Sequence, residues 1–354
     1  MPAPQGVIGT IKTYGSFVKF SHTVFALPFA ITGMLVAYTM GIGFRDVWPS
    51  FVFVGDSIPG NVRPLRESIF PVFSVVTLAL VFAAMVGARS FAMALNRILD
   101  RRIDASNPRT AGRELPSGRM TLAQAWAFAI SAAILYFGAC VALGRVTTAL
   151  SPIPIALMTV YPFTKRFTSL CHFVLGASLG LAPVGAWVAV RAGGSLLLPD
   201  QLPELGGWGA VTEPLPWILG LGVMLWVAGF DIIYALQDDE FDRANKLHSF
   251  PAQFGRFEAL VMSRIVHVFA AVAFVVFSIQ MSGAFALSED PQPLPLWTLA
   301  APVIAIVGLI WQHRLVKPDD LSRVNVAFFT VNGIISALFG AVYVAGYIVW
   351  RMAN

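Results

Sequence analysis

Nine stretches of mostly apolar residues, each close to the length that crosses a bilayer, dominate this chain; they lie near 17–41, 70–95, 121–144, 146–163, 170–191, 215–236, 258–281, 297–312 and 324–350. A helix covers the hydrocarbon core in about 20 residues, and only helices or closed barrels satisfy every backbone group there. Barrel strands alternate in polarity with period two, whereas these stretches are apolar throughout. The expected fold is therefore all-α: a polytopic membrane protein built as a nine-helix bundle. A hydrophobic content of 57% and a mean hydropathy of +0.73 agree, being too high for a water-soluble domain.

No polar stretch is long enough to build a second core, so residues 1–354 read as one integral membrane domain. The connections 42–69 and 192–214 are longer than the rest and rich in Gly and Pro, which predicts irregular caps or short amphipathic pieces. The first apolar stretch has Lys12 and Lys19 at its start and no small-residue cleavage site, so it is expected to stay attached as helix one.

Most of the 24 lysines and arginines fall at the N-terminus and in the loops after helices two, four, six and eight. The other side holds Arg45, Arg63, Arg66, Arg145, Arg191 and Arg351. By the positive-inside rule the basic side faces the cytoplasm, with the C-terminus outside, as for a protein of the bacterial inner membrane. The net charge of +5 then follows from topology and is no footprint for nucleic acid. Nothing in the sequence calls for an obligatory protein partner. Cys140 and Cys171 stand in apolar surroundings without a CxxC pattern and read as plain buried thiols. His22, His172, His267 and His313 show no ligand spacing and are expected to be structural.

Charge is concentrated in "NRILDRRIDASNPRTAGRELPSG", residues 96–118, which holds five arginines and three acids. If helix two continues through this segment, Asn96, Asp100 and Asp104 lie within an arc of about 80°. After helix six a second cluster, "GFDIIYALQDDEFDRANKLHS", sets Asp231, Tyr234, Asp238 and Asp242 in a similar stripe, with Asp239 and Glu240 pointing elsewhere. Both clusters emerge on the same side of the membrane. Carboxylates converging there repel one another unless cations lie between them. Hard oxygen ligands suit Mg²⁺, which binds through one or two carboxylates plus substrate phosphates, so a diphosphate ligand is implied. Arg109, Arg113 and Lys165 are the candidates to hold its remaining oxygens. Lys165 belongs to "YPFTKR", four residues after Tyr161. Asp231 lies deeper in the apolar stretch, where an acid is costly and a functional role is the default.

At these residues the sequence resembles the UbiA superfamily of intramembrane prenyltransferases, over most of the chain. "NRILDRRID" at 96–104 is similar to its NDxxDxxxD signature, "FDIIYALQDDEFD" at 230–242 to its second DxxxD, and Tyr161 with Lys165 to its YxxxK motif. The resemblance implies a cavity open to lipid and two Mg²⁺ ions holding the diphosphate of a polyprenyl donor. Asn96, Asp100 and Asp104 would serve the first ion, and Asp238 and Asp242 the second. Asn96, Tyr161, Lys165, Arg109 and Arg113 would contact the diphosphate. Lys165 and Tyr234 would take part in catalysis, and Asp231 would orient or polarise an aromatic acceptor. Two departures stand out. Arg97 replaces the signature's aspartate directly after Asn96, and His248 occupies a position where many hydroxybenzoate enzymes carry lysine. "LHSFPAQFG" looks more like a UbiA-like branch linked in part to the futalosine route to menaquinone. The expected reaction is Mg²⁺-dependent polyprenyl transfer to 4-hydroxybenzoate or a related hydroxyaryl acid in ubiquinone or menaquinone synthesis. Alternatives are 1,4-dihydroxy-6-naphthoate, haem or a chlorin as acceptor, and, from another class, a secondary transporter.

Overall fold

The structure, a computed structural model, describes residues 13–15, 17, 25–39, 75–192, 207–282 and 294–353. Among these residues the regular structure is helical. Eight helical segments are long and apolar enough to cross a membrane. The first apolar stretch is described as the 13-residue helix α1, Leu27–Thr39, with residues 18–24 and 40–41 outside the described residues. The connection 42–69 and most of 192–214 also lie outside them; within the second, α8 is a single turn, Gly209–Thr212.

The spans follow as α2 (Val75–Leu99), α4 (Leu122–Leu143), the pair α5 (Arg145–Leu150) and α6 (Pro152–Thr164), α7 (Cys171–Arg191), α9 (Pro214–Ala235), α12 (Arg256–Met281), α13 (Ala300–Leu315) and α14 (Asn332–Ala353). Local chemistry sets several ends. Thr121 and Gln124 form a reciprocal capping box at the start of α4. Pro152 opens α6, where a missing N–H costs nothing, and the Ser151 carbonyl at the break accepts from the Tyr136 hydroxyl at 3.0 Å.

The core is centred on α9, the most enclosed span, which packs against α7 on one side and α12 on the other. Phe29, Trp226, Phe274 and Phe339 interlock there from four helices. Outward-facing Ile134, Val268 and Phe269 are exposed, as lipid-facing residues must be.

Two expectations about helix continuity are corrected. α2 does not run through the first acidic motif: it stops at Leu99, Asp100 adopts φ −93° and ψ 7°, and a short α3 (Arg101–Ser106) follows. The second stripe is likewise broken, by a 3₁₀ turn at Leu236–Asp238 between α9 and α10 (Asp239–Ala244). Tighter turns of this kind rotate Asp238 and Asp242 relative to Asp231, so the acids do not lie on one straight helical face.

Candidate active site

The two acidic segments meet. Asn107 and Arg109, from the loop after α3, both reach Asp238: Asn107 Nδ2 donates to Oδ1 at 3.1 Å, and the Arg109 guanidinium grips both oxygens, with Nε to Oδ1 at 2.8 Å. Arg109 Nη1 also donates to the Tyr234 hydroxyl at 3.3 Å. This fork geometry is why arginine, more than lysine, can bridge the two segments.

Each of the four motif acids has one basic partner. Arg166 Nη2 lies 3.3 Å from Asp100, Arg113 Nη1 2.6 Å from Asp104, Lys165 Nζ 2.8 Å from Asp242, and Arg109 holds Asp238. Asp239 and Glu240 turn away to Arg256, as their spacing predicts. Burial pushes the Asp100 carboxyl above its ordinary range, and Arg166 opposes that only partly. For Lys165 burial works against the charge, but the facing Asp242 outweighs it and the ammonium is held above its usual range. Arg109 is likewise penalised by burial and overcompensated by Asp238. Both bases are therefore charged at neutral pH.

No three Asp, Glu, His or Cys side chains converge on one point among the described residues. The donor set still fits Mg²⁺, because that ion takes one or two protein carboxylates and completes its shell with water and phosphate. Asp104 Oδ2 is sealed from solvent without a hydrogen-bond partner, a cost that an arriving cation removes.

Behind the charged layer lies a cavity of about 460 Å³, mostly apolar, between α2, α4, α6, α7 and α9. Asn96, Arg113, Tyr161, Asp231 and Tyr234 line it. Of the expected site residues, Asp100, Asp104, Asp238, Asp242, Lys165 and Arg109 form the ion-paired layer at its polar end. The wall continues through Met85, Ala88, Met158, Leu175 and Leu179, which suit an isoprenoid tail. Cys140 lies in this wall, and both cysteines are free and buried, as expected.

Three residues that sequence reasoning passed over belong here. His172, expected to be structural, places Nδ1 2.7 Å from Asp231 Oδ2. Its Nε2 accepts from the Phe250 backbone N–H at 3.2 Å, so Nδ1 carries the proton and donates to Asp231. Arg89 and Arg97 on α2 also line the cavity. Reading them as topology determinants hid them; an arginine within an apolar span was the available signal. His267 and His313 are bonded to each other at 2.8 Å in the core, away from the acids, and His22 lies outside the described residues.

The UbiA prenyltransferase family profile matches residues 69–334, three quarters of the chain, from α2 to the start of α14. The chain belongs to this family. It is a multi-pass membrane prenyltransferase. It is 31% identical over 218 residues to a 4-hydroxybenzoate octaprenyltransferase of Serratia proteamaculans, covering 60% of this chain and 68% of that one. With the enzyme of the same name from Salmonella paratyphi C it shares 27% over 266 residues, 74% and 80% of the two chains. Among solved structures, a UbiA homologue from Aeropyrum pernix superposes with a TM-score of 0.64 at 29% identity, covering 93% of this chain and 97% of that one. One from Archaeoglobus fulgidus, bound to geranyl diphosphate and Mg²⁺, gives 0.62 at 17%, covering 95% and 99%, and so shares the fold. Membership displaces the transporter alternative.

Proposed function

We propose that this prenyltransferase joins a polyprenyl group from polyprenyl diphosphate to a hydroxyaryl carboxylic acid, 4-hydroxybenzoate or a close relative, with Mg²⁺, in ubiquinone or menaquinone synthesis. The acceptor class rests on one observation. Arg89 lines the apolar cavity, its Nε is sealed from solvent without a partner, and no ion pair holds it among the described residues. Seven residues before Asn96 on α2, it lies about 10 Å deeper along the helix. An unpaired cation in such a place is costly, and a carboxylate from the acceptor offsets that cost. Asp231, the nearby acid, is already engaged by His172.

In this reading the acceptor's carboxylate meets Arg89 and its ring lies between Arg89 and the charged layer. The donor's C1–O bond breaks, the diphosphate leaves, and a new C–C bond forms at the ring carbon beside the hydroxyl, which then loses its proton. Asp100, Asp104 and Asn96 would hold one Mg²⁺, and Asp238 with Asp242 a second; bound there, the ions shield the charge that grows on the leaving diphosphate. Lys165, Arg109 and Arg113 bind the oxygens that remain, with Tyr161 and Tyr234 as hydroxyl donors. Asp231, oriented by His172, polarises the acceptor hydroxyl. The apolar wall excludes water that would trap the allylic cation. The relatives named 4-hydroxybenzoate octaprenyltransferase support this acceptor class, and the homologue bound to a prenyl diphosphate with Mg²⁺ supports the donor and the ion. The distribution of basic residues supports a cytoplasmic mouth.

The test is a prenyl-transfer assay of the purified full chain in liposomes, with Mg²⁺, a polyprenyl diphosphate, and 4-hydroxybenzoate, 1,4-dihydroxy-6-naphthoate or haem supplied separately. Product with a hydroxyaryl acid, and an acceptor KM raised at least about tenfold by Arg89→Leu with donor KM unchanged, is expected from loss of a charged hydrogen-bonded contact. Equal acceptor KM in the variant would refute the carboxylate assignment.

A further inference from the structure

Arg97 stands where the family signature carries aspartate, so the position has the opposite charge. The side chain is 3% exposed, and its Nε and Nη1 have no hydrogen-bond partner. It nevertheless lines the cavity, beside Asn96 and together with Arg113, Asp231 and Tyr234. The charged groups acting on it are Arg113, Glu114 and Asp104. Asp104 is engaged by Arg113 at 2.6 Å, and Glu114 lies 3.8 Å from Arg119. No ion pair to Arg97 occurs among the described residues.

A buried guanidinium with idle donors is an energetic liability unless a ligand answers it. The chemistry that answers it must be anionic, rich in acceptor oxygens and present at the charged end of the cavity. We infer that Arg97 is a diphosphate-binding residue, donating its free N–H groups to oxygens of the donor's diphosphate, a role that its sequence position would otherwise assign to metal coordination. The inference rests on the prenyl diphosphate reading proposed above. Arg97 differs from Arg109, Arg113 and Lys165, each of which is already paired with a carboxylate. Arg97 has no carboxylate partner to release among the described residues, and its Nε and Nη1 are free.

The experiment measures binding, not turnover. Full-length protein in detergent is titrated with inorganic diphosphate at fixed Mg²⁺, for wild type, Arg97→Gln and Arg97→Lys, and the melting temperature is recorded with and without ligand. Loss of charged hydrogen bonds to phosphate is expected to weaken diphosphate binding about 10- to 100-fold in Arg97→Gln, and less in Arg97→Lys, which keeps the charge and loses the fork. The ligand-free melting temperature of Arg97→Gln should equal or exceed that of wild type, because an unanswered buried charge has been removed. A structural role predicts the reverse pattern, a lower ligand-free melting temperature with wild-type diphosphate affinity, and that result overturns the inference. If Arg97→Gln is not recovered folded, Arg97→Lys decides: weaker binding supports the assignment and unchanged binding refutes it. Failure of wild type to bind Mg²⁺ with diphosphate would refute the prenyl diphosphate reading itself, whereas equal binding by wild type and variants refutes only the role of Arg97.

Discussion

Replacing Gly176 with alanine tests whether the contact between α7 and α9 sets the geometry of the acceptor site. A Cβ at Gly176 would lie 2.2 Å from the Met224 carbonyl oxygen, and one at Gly180 2.5 Å from that of Gly220. Both obstacles are backbone, which cannot rotate aside as a side chain can. Atoms of this size rest about 3.5 Å apart, so Gly176→Ala must push the helices apart by about 1 Å. His172 lies one turn before Gly176 on α7, and Asp231 two turns after Met224 on α9. Their 2.7 Å bond would stretch by a similar amount, beyond hydrogen-bonding range. Overpacking of this kind costs about 1–3 kcal/mol, and a 1 Å misplacement near a reacting centre can cost about 100-fold in rate. Gly138→Ala is the control: that glycine is exposed on α4 with nothing within 4 Å of the added carbon, so stability should hold or rise slightly. The assay is thermal unfolding in detergent alongside prenyl transfer in liposomes. A Gly176→Ala protein with wild-type melting temperature would show that the helices are not in contact as described. One that melts early yet turns over normally would show that the His172–Asp231 bond does not position the reaction.

Other consequences are more direct. Chelation with EDTA should abolish prenyl transfer, and Mg²⁺ should restore it; activity that survives chelation would contradict the metal reading. Asp100→Asn and Asp238→Asn should each lower kcat at least about 1,000-fold while retaining a folded, monodisperse protein by size exclusion, as expected when a charge-stabilising centre is dismantled. His172→Phe should reduce kcat about 10- to 100-fold with the diphosphate donor's KM unchanged, because Asp231 loses its orienting partner but the charged layer is untouched; a shifted donor KM with normal kcat would overturn that division of roles. Mg²⁺ alone should bind weakly, and inorganic diphosphate should raise its affinity, measured by isothermal titration; equal affinity with and without diphosphate would contradict the exchange of partners set out below.

The fold class was legible because a spanning backbone must be satisfied as helix or closed barrel, and stretches that are apolar throughout leave helix. The motif acids were legible as pairs of like charges that need an answer. Some departures from the regular helix were not legible, because side chains far away in sequence meet them. At Val326–Val331 the chain forms a π-turn, with Gln312 of α13 reaching the Ala327 carbonyl at 2.8 Å and Asn332 returning to that of Phe328 at 2.9 Å. Neither Pro nor Gly marks the break at Asp100, so extrapolating a 3.6-residue period carried the helix too far. The pairing of acid with base was out of reach for the same reason. Lys165 meets Asp242 only because the segment after α10 folds back, the His248 N–H bonding to the Lys165 carbonyl at 2.7 Å.

That pairing explains how one set of buried charges can serve two states. Each motif acid is neutralised by Arg166, Arg113, Arg109 or Lys165, so burial costs little. On the proposed reading, Mg²⁺ takes over the carboxylates and the released bases turn to the diphosphate oxygens, so no charge is left unanswered in either state. A metal ion arriving alone would strand the bases, and a diphosphate arriving alone would strand the acids; each makes room for the other. Arg89 and Arg97 stand outside this exchange, since neither has an ion-pair partner among the described residues. They leave fixed positive charge at two levels of α2, one beside the charged layer and one about 12 Å deeper. A cavity of this design attracts an anion to each end, and a prenyl diphosphate with a hydroxyaryl acid is a pair of substrates that carries one for each.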